Sequence, residues 1–333
     1  MVECPAVRVP RGEAEATRRR LLELDALRLD LQVARDGGDV LFPVAASCGP
    51  RLPTTTWDFA SREVRPSSYT DLLDLPADRK AQAPRAFDQL GDLVIVKVPP
   101  ELWDDRAAIG EALLRFHRAR AVFHDAGVKD ELRVRRLERI AGTGDARTSV
   151  HENGVRLWVD PGRAYYSPRL AAERARVTAM VRPGERLVDL FGGVAPLAIQ
   201  AALAGADVDC VDLNAEACTL ARENVRANGV GDRVRVHEGD ARVVAAGLAP
   251  ADRIVMNLPH GAAAFLDVAV RLAKPGATIH LHEILATASL AARASVLERD
   301  LLRLGRRAAD VQARIVRHYS PQDVHAVFDI RLA

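Results

Sequence analysis

The chain has 333 residues, of which 48% are hydrophobic and 28% are charged. Domains usually hold about 100–200 residues, so a chain of this length and composition is expected to form two or three of them. The 47 Lys and Arg residues nearly balance the 45 Asp and Glu residues, which leaves a net charge of +2. Total charge therefore gives no indication of a nucleic-acid partner, and the arrangement of charges must decide.

Cysteine spacing and hydropathy favour a cytoplasmic protein without a membrane partner. The four cysteines contain no C-x-x-C pair, which argues against a zinc site or a disulfide framework: Cys4, Cys48, Cys210 and Cys218. Reduced thiols, mostly buried, are expected instead. No apolar run approaches the roughly 20 residues that cross a bilayer, and the first residues do not resemble a signal peptide.

The N-terminal part is predicted to form two small α+β modules, at residues 1–60 and 61–150. In the first, residues 12–35 begin as a charged amphipathic helix, and G-G-D-V-L-F-P-V then predicts a turn into a strand. Five prolines between about 49 and 85 interrupt any long helix, so part of this stretch is expected to be a linker or an irregular crossover.

The second module is expected to start with a buried strand in F-D-Q-L-G-D-L-V-I-V-K-V-P, followed by a helix at about 104–120. Val and Arg then alternate in R-V-R-R-L-E-R-I-A-G, which predicts a strand with Arg133 and Arg135 on one face.

Residues 151–333 are predicted to form a doubly wound, Rossmann-like α/β domain, because strands and helices alternate regularly there. The expected strands are 186–191, 207–212, 234–237, 252–257, 277–282, 310–317 and 324–330. The expected helices are 169–181, 196–204, 214–228, 260–273 and 286–304. In such a sheet the ligand lies across the carboxyl ends of the strands, so the residues that follow each strand are the candidates for a site.

Suitable groups follow four consecutive strands. The first end, V-D-L-F-G-G-V-A-P, offers Asp189 to an ammonium group, and its paired glycines, Gly192 and Gly193, let the backbone approach a carboxylate. The second end places Asp212, followed by Leu213, where an acid can accept hydrogen bonds from ribose hydroxyls.

The third end, E-G-D-A-R, puts Asp240 and Ala241 beside an adenine amino group, and the fourth is M-N-L-P-H-G. A single Asp after a strand is more often a turn former or a helix cap, but serial recurrence favours a nucleoside site. Residues 192–197 lack the G-x-G-x-x-G pattern of dinucleotide-binding proteins. S-adenosylmethionine, which has no phosphate, is therefore the expected cofactor.

In these motifs the chain resembles a known family, the archaeal- and eukaryotic-type tRNA (guanine-37 N1)-methyltransferases, which are class I S-adenosylmethionine-dependent enzymes. The resemblance covers most of the chain, and Y-S-P-R-L-x-x-E-R and N-L-P are its most specific pieces. It rests on residues 131–142, 151–176, 188–196, 212–214, 252–259, 279–283 and 316–330.

The resemblance implies methyl transfer to N1 of guanosine 37, beside the anticodon. Guanine N1 carries a proton that a base must remove, and charge that moves onto O6 must be stabilised. By resemblance, Glu173 is the general base, Arg133 is the O6 partner, and Asn257 holds the guanine edge and the methionine end of the cofactor.

The resemblance also places Tyr165 near the transferred methyl group. The cofactor-binding residues expected from strand ends and resemblance together are Arg174, Asp189, Gly193, Asp212, Leu213, Asp240, Ala241, Asn257 and Pro259. Without the resemblance, Glu173 and Arg174 would be interpreted as a solvated helix face. Likewise, Tyr165 would be a partly buried core residue.

One loop departs from the family. Its usual form is F-A-G-V-G-P, whereas residues 191–196 are F-G-G-V-A-P. Ala195 adds a methyl group where a glycine is needed if the backbone has a positive φ, and Gly192 offers relief from crowding.

Arginines concentrate in the second module, and Arg18–Arg20 add positive charge in the first. We expect the middle module and the catalytic domain to grip the anticodon stem-loop of a tRNA, while the N-terminal module contacts the tRNA body. The alternative is that these arginines form ion pairs with Glu111, Glu131 and Glu138. A monomer is expected.

Three other functions stay open. The first is the aminocarboxypropyl transfer of the wybutosine pathway, and the second is methylation of its tricyclic intermediate. The third is a non-catalytic tRNA-binding relative. The N-L-P motif favours methyl transfer over aminocarboxypropyl transfer. A non-catalytic relative is disfavoured by the presence of the expected site residues Asp189, Asp212, Asp240, Glu173 and Asn257.

Overall fold

The computed structural model describes residues 1–45, 54–62, 66–129 and 134–333. Contacts between Cα atoms divide the chain into two units, Met1–Asp71 and Leu72–Ala333. Within the described ranges, every helix is too short or too polar to cross a membrane.

The first unit is a four-stranded antiparallel sheet with one helix, in the strand order β2-β3-β1-β4. Its elements are β1 (Val2–Pro10), α1 (Ala14–Glu23), β2 (Ala34–Asp36), β3 (Asp39–Pro43) and β4 (Thr54–Phe59). Strand β4 lies within the proline-rich stretch. Its Thr-Thr-Thr-Trp run is typical of a strand and pairs with β1, although the prolines on either side obscure the pattern.

The second unit begins with a four-stranded sheet, in the order β5-β6-β7-β8, and a β-hairpin. The elements are α2 (Ala77–Gln82), β5 (Phe87–Leu90), β6 (Leu93–Val96), α3 (Arg106–His117), β7 (Ala121–Lys129), β8 (Val134–Gly142), β9 (Thr148–Glu152) and β10 (Val155–Val159). The first predicted strand is thus a hairpin that turns at Gly91. A Cβ there would lie 2.4 Å from the Ser149 carbonyl oxygen, so glycine lets this sheet approach β9.

A seven-stranded sheet follows, in the order β13-β12-β11-β14-β15-β17-β16. Strands β11 to β15 are parallel, and β16 and β17 are antiparallel. The strands are β11 (Arg186–Asp189), β12 (Asp207–Asp212), β13 (Val234–Glu238), β14 (Ala251–Met256), β15 (Ala273–Ala286), β16 (Ala308–His318) and β17 (Asp323–Leu332). This confirms the predicted doubly wound α/β fold with two α+β modules before it.

Helices cover both faces of this sheet: α4 (Ala171–Ala179), α5 (Pro196–Leu203), α6 (Ala215–Ala227), α7 (Ala241–Ala245), α8 (Leu266–Leu272) and α9 (Leu290–Arg303). Successive residues of β11 point to opposite faces, so that Leu187 packs in one apolar core and Val188 in the other. The five-residue α7 was not predicted, because one and a half turns give no detectable periodicity. The helix expected at 260–273 is α-helical only from Leu266.

The loop after β11 explains its departure from the usual family sequence. Ala195 has φ 65° and ψ 33°, the left-handed conformation that glycine adopts most easily. A Cβ at Gly192 would lie 2.2 Å from the Sγ atom of Cys210 on β12. The sulfur therefore occupies the space that the family's usual alanine methyl group would need.

We expect Gly192→Ala to destabilise the second unit by about 1–3 kcal/mol, because the new methyl group overlaps the Cys210 sulfur. Adding Cys210→Ala should restore part of this loss, since the methyl group then enters the space left by the sulfur. Thermal unfolding of the two single variants and the double variant measures the effect. Additive losses would contradict this packing.

Candidate active site

The carboxyl ends of β11 to β14 open into one cavity of about 660 Å³. Eight of the residues predicted from the sequence line it: Tyr165, Gly193, Asp212, Leu213, Asp240, Ala241, Asn257 and Pro259. A smaller pocket of about 30 Å³ contains three more, Glu173, Arg174 and Asp189. Asn257 and Phe191 line both spaces, so the two groups of residues are neighbours. Arg133 lies outside the described residues.

The carboxylate of Asp212 joins the ends of the first two parallel strands. Its Oδ2 atom accepts the Gly193 N–H at 2.7 Å, and its Oδ1 atom accepts the Asn214 N–H at 2.9 Å. Burial raises the pKa of Asp212. The glycine loop is thereby fixed against an acid that keeps lone pairs for a ligand's hydroxyl groups.

Asp189 is almost fully buried behind this loop. Its Oδ1 atom accepts the Phe191 N–H at 3.3 Å. Burial raises the pKa of Asp189 to about 7, and the negative charge of Asp212 adds to the shift. The side chain therefore changes its charge near neutral pH.

The third strand end is more open. Asp240 caps α7, and its Oδ1 atom accepts the Arg242 N–H at 2.7 Å. The Arg242 guanidinium lies 3.7 Å from the ring centroid of Phe265, which meets Phe191 edge-on at 5.0 Å. Two aromatic rings thus line a cavity whose polar groups are suited to a nucleoside. Sequence analysis gave neither ring a role: Phe191 lies in the quoted loop motif but was treated only as part of the loop, and Phe265 stands in no motif.

Asn257 has an unused hydrogen-bond acceptor. Among the described residues, its buried Oδ1 atom has no partner. The turn that carries it is fixed, since the Pro259 carbonyl oxygen accepts the Ile284 N–H at 2.9 Å. A buried acceptor without a partner is costly, so it points to a ligand donor.

Glu173 is buried and held by an arginine on its own helix. Arg176 donates to both carboxylate oxygens of Glu173, at 2.6 and 2.8 Å, and also to Asp329, at 2.6 and 3.0 Å. Asp329 lies 2.5 Å from Nδ1 of His280, whose Nε2 atom is 2.8 Å from Arg253. Because a guanidinium only donates, Nδ1 carries the His280 proton. The helix face that would be interpreted as solvated without the resemblance is instead the start of a buried chain of charged groups.

Arg174 points to a different cluster. Its Nε atom donates to Glu152 at 2.6 Å, and its Nη2 atom donates to Glu152 and to the Ser167 carbonyl oxygen. Glu152 also accepts from Tyr166 at 2.7 Å and from Gln200 at 2.9 Å. This cluster joins β9, α4 and α5, and contact of Arg174 with a cofactor stays a prediction.

The far end of the large cavity contains residues that received no role from the sequence. Arg317 and His325 face each other across the β16–β17 pair, and His260 and Tyr319 lie beside them. The ladder register brings them together, and it could not be deduced from the sequence. Within the described ranges, His, Cys, Asp and Glu form no group of three or more suited to a metal ion.

Three family models match successive parts of the chain. The tRNA methyltransferase 5 N-terminal domain matches residues 6–50, the TYW2 N-terminal domain matches residues 69–145, and the TRM5/TYW2 methyltransferase domain matches residues 148–316.

Known proteins match over most of the length. The tRNA (guanine(37)-N(1))-methyltransferase Trm5b of Pyrococcus abyssi is 33% identical over 98% of this chain and 99% of its own. The solved complex of aTrm5 and tRNALeu has a TM-score of 0.80 at 26% identity, over 98% of this chain and 99% of its own. The tRNA(Phe) (4-demethylwyosine(37)-C(7)) aminocarboxypropyltransferase of Pyrococcus horikoshii is 26% identical over 78% of this chain and 93% of its own.

With strand-end acids around one cavity, a buried glutamate beside it and these matches, the chain belongs to the TRM5/TYW2 methyltransferase family.

Proposed function

We propose that this chain transfers the methyl group of S-adenosylmethionine to N1 of guanosine 37 in tRNA. The observation that carries the proposal is the position of Asn257, in the wall shared by the strand-end cavity and the pocket of Glu173. A nucleoside cofactor in the cavity and a purine near the glutamate would meet there. Relatives with this activity match the chain over nearly its whole length.

The side chains around the cavity fit S-adenosylmethionine. Asp212 offers carboxylate oxygens to the ribose, Asp240 lies at the adenine end with Leu213 and Ala241 at its sides, and Asp189 is available to the ammonium group. Gly193 has φ 56°, and a Cβ there would press against the Tyr165 carbonyl oxygen at 3.2 Å, so glycine lets this loop approach Tyr165. When bound, S-adenosylmethionine supplies a methyl carbon made electrophilic by its sulfonium.

Glu173 removes the proton of guanine N1 and keeps it on a carboxylate oxygen. Protonation costs Glu173 its charge, but Arg176 then retains a carboxylate partner in Asp329. The Asn257 Oδ1 atom accepts a guanine N–H and so fixes the base edge. The charge that develops on O6 is left to Arg133, whose role rests on the resemblance.

Two further residues shape the site. Tyr165 is 42% exposed at the cavity and packs against the incoming base, while Pro259 holds the turn of Asn257. Arg174 contributes through its neighbour in sequence, since its ion pair with Glu152 anchors the helix that carries Glu173.

The middle sheet supplies phosphate contacts from arginines that remain available. Arg120 and Arg135 are paired with Asp92 and Asp88, at 2.8 and 2.7 Å. By contrast, Arg115, Arg118 and Arg136 are exposed and have no ion pair among the described residues. The exposed residues Arg18–Arg20 of the first unit contact phosphates of the tRNA body. Affinity from such contacts falls as salt is added.

Incubation of tRNA transcripts with cofactor labelled separately in its methyl and aminocarboxypropyl groups tests the activity. We expect methyl label on a guanosine-37 transcript and none on a transcript with another base there. Glu173→Gln should slow transfer by about 10²–10⁴-fold with cofactor binding unchanged, because it removes the base.

Glu283→Gln is the matched control. It breaks a similar bidentate pair, with Arg293 at 2.7 Å, at a glutamate that does not line the cavity. Aminocarboxypropyl label on the tRNA, or equal rates in the two variants, would refute the proposal.

Cofactor affinity should rise with pH between 5.5 and 7, by about tenfold. Asp189 attracts the ammonium only when ionised, and its pKa of about 7 leaves it largely protonated at the lower pH. Its titratable and charged neighbours are Asp212, Arg174 and the Cys210 thiol, and Glu173 and His282 line the same pocket. Calorimetry of S-adenosylmethionine binding measures the slope. Asp189→Asn should flatten it, and an unchanged slope in that variant would exclude this role.

A further inference from the structure

The large cavity has two chemically different ends. Strands β11 to β13 contribute Asp212 and Asp240 to one end. Strands β16 and β17, with the turn after β14, contribute Arg317, His325, Tyr319 and His260 to the other, without an acidic lining residue. A zwitterionic nucleoside suits the acidic end, whereas the basic end favours an anion.

Arg317 is the cation of the basic end. Its guanidinium stacks on the Tyr319 ring at 5.6 Å, and its buried Nε atom has no hydrogen-bond partner among the described residues. Within those residues it also has no carboxylate partner, whereas Arg176 on α4 and Arg253 on β14 are paired with acids. An unpaired guanidinium at a cavity wall is suited to a phosphate.

Tyr319 adds a stacking surface. It is 45% exposed, and its ring meets His260 edge-on at 5.8 Å. Single-stranded RNA is bound by combining an aromatic ring for a base with a cation for the neighbouring phosphate. Both elements are present here, side by side.

The lining of the two spaces indicates which nucleotide they contact. Asn257 lines both the large cavity and the pocket of Glu173, whereas Arg317 and Tyr319 line only the large cavity. A guanine whose N1 atom faces Glu173 therefore leaves Arg317 and Tyr319 to a neighbouring nucleotide.

We propose that Arg317, Tyr319 and His260 form a binding site for a nucleotide adjacent to the methylated guanosine, with its phosphate on Arg317 and its base on Tyr319. The site rests on the proposed function, since it requires a flipped guanosine at Asn257. It makes methyl transfer depend on an unpaired neighbour of the target base.

The test measures kcat, KM and tRNA affinity for Arg317→Met and Tyr319→Ala, with cofactor affinity measured alongside. Each variant should raise KM for the guanosine-37 transcript about tenfold with kcat within about twofold of the wild type, and Arg317→Met should lower the salt slope of binding by about one. Arg314→Met, an exposed arginine of the same strand that does not line the cavity, is the control.

Transcripts with an abasic site at position 36 or 38 identify the stacked base. One of these abasic transcripts should bind the wild type about tenfold more weakly than the intact transcript does. The Tyr319→Ala variant should bind that abasic transcript and the intact transcript with equal affinity. Indifference of the wild type to both abasic sites would overturn the proposal. It would also be overturned if both variants matched Arg314→Met, or if either weakened cofactor binding as much as tRNA binding. Absence of methyl transfer by the wild type would instead refute the proposed function.

Discussion

The hydrogen bond from the Gly193 amide to the Asp212 carboxylate holds the site together. It joins the loops after two adjacent parallel strands, β11 and β12, and it can form only because parallel strands end at the same edge of a sheet. The strand order reverses between β11 and β14, which opens a crevice at that edge. Residues more than sixty positions apart in the chain, such as Asp189 and Asn257, thereby line one pocket.

Buried charge lies directly behind this edge. Arg176 lies between the carboxylates of Glu173 and Asp329, and His280 lies between Asp329 and Arg253. The pKa of Asp329 is strongly lowered by its hydrogen bonds with His280 and Arg176. Burying charges is costly unless each has a partner, and here Glu173, Arg176, Asp329 and Arg253 each have an ionic partner. The arrangement fixes the orientation of Glu173 before any substrate arrives. Without Arg176, the carboxylate of the flexible Glu173 side chain would not be held in one orientation.

The parallel sheet and its acids could be predicted from the sequence, because a short strand that ends at or just before an Asp is a local pattern. The β16–β17 pair was also expected, but its register was not. Register depends on which side chains pack across a ladder, and β16 contains two irregularities that shift the pairing. The proximity of Arg317 and His325 is therefore visible only in the structure and could not be predicted from the sequence. In the same way, Glu173 and Arg174 are adjacent in sequence yet join separate clusters on different sides of one helix.

In the loop after β11, the space that an alanine methyl group at residue 192 would need is filled by the Cys210 sulfur of β12. This contact limits how the loop can change during evolution. Cys210 fits only where residue 192 has no side chain, whereas a glycine at 192 is tolerated beside a smaller residue at 210 and leaves only a void. Starting from the alanine loop of its relatives, a lineage would acquire the glycine first and the cysteine second. Once the sulfur is in place, an alanine at residue 192 alone destabilises the domain, so the two positions are expected to vary together among descendants.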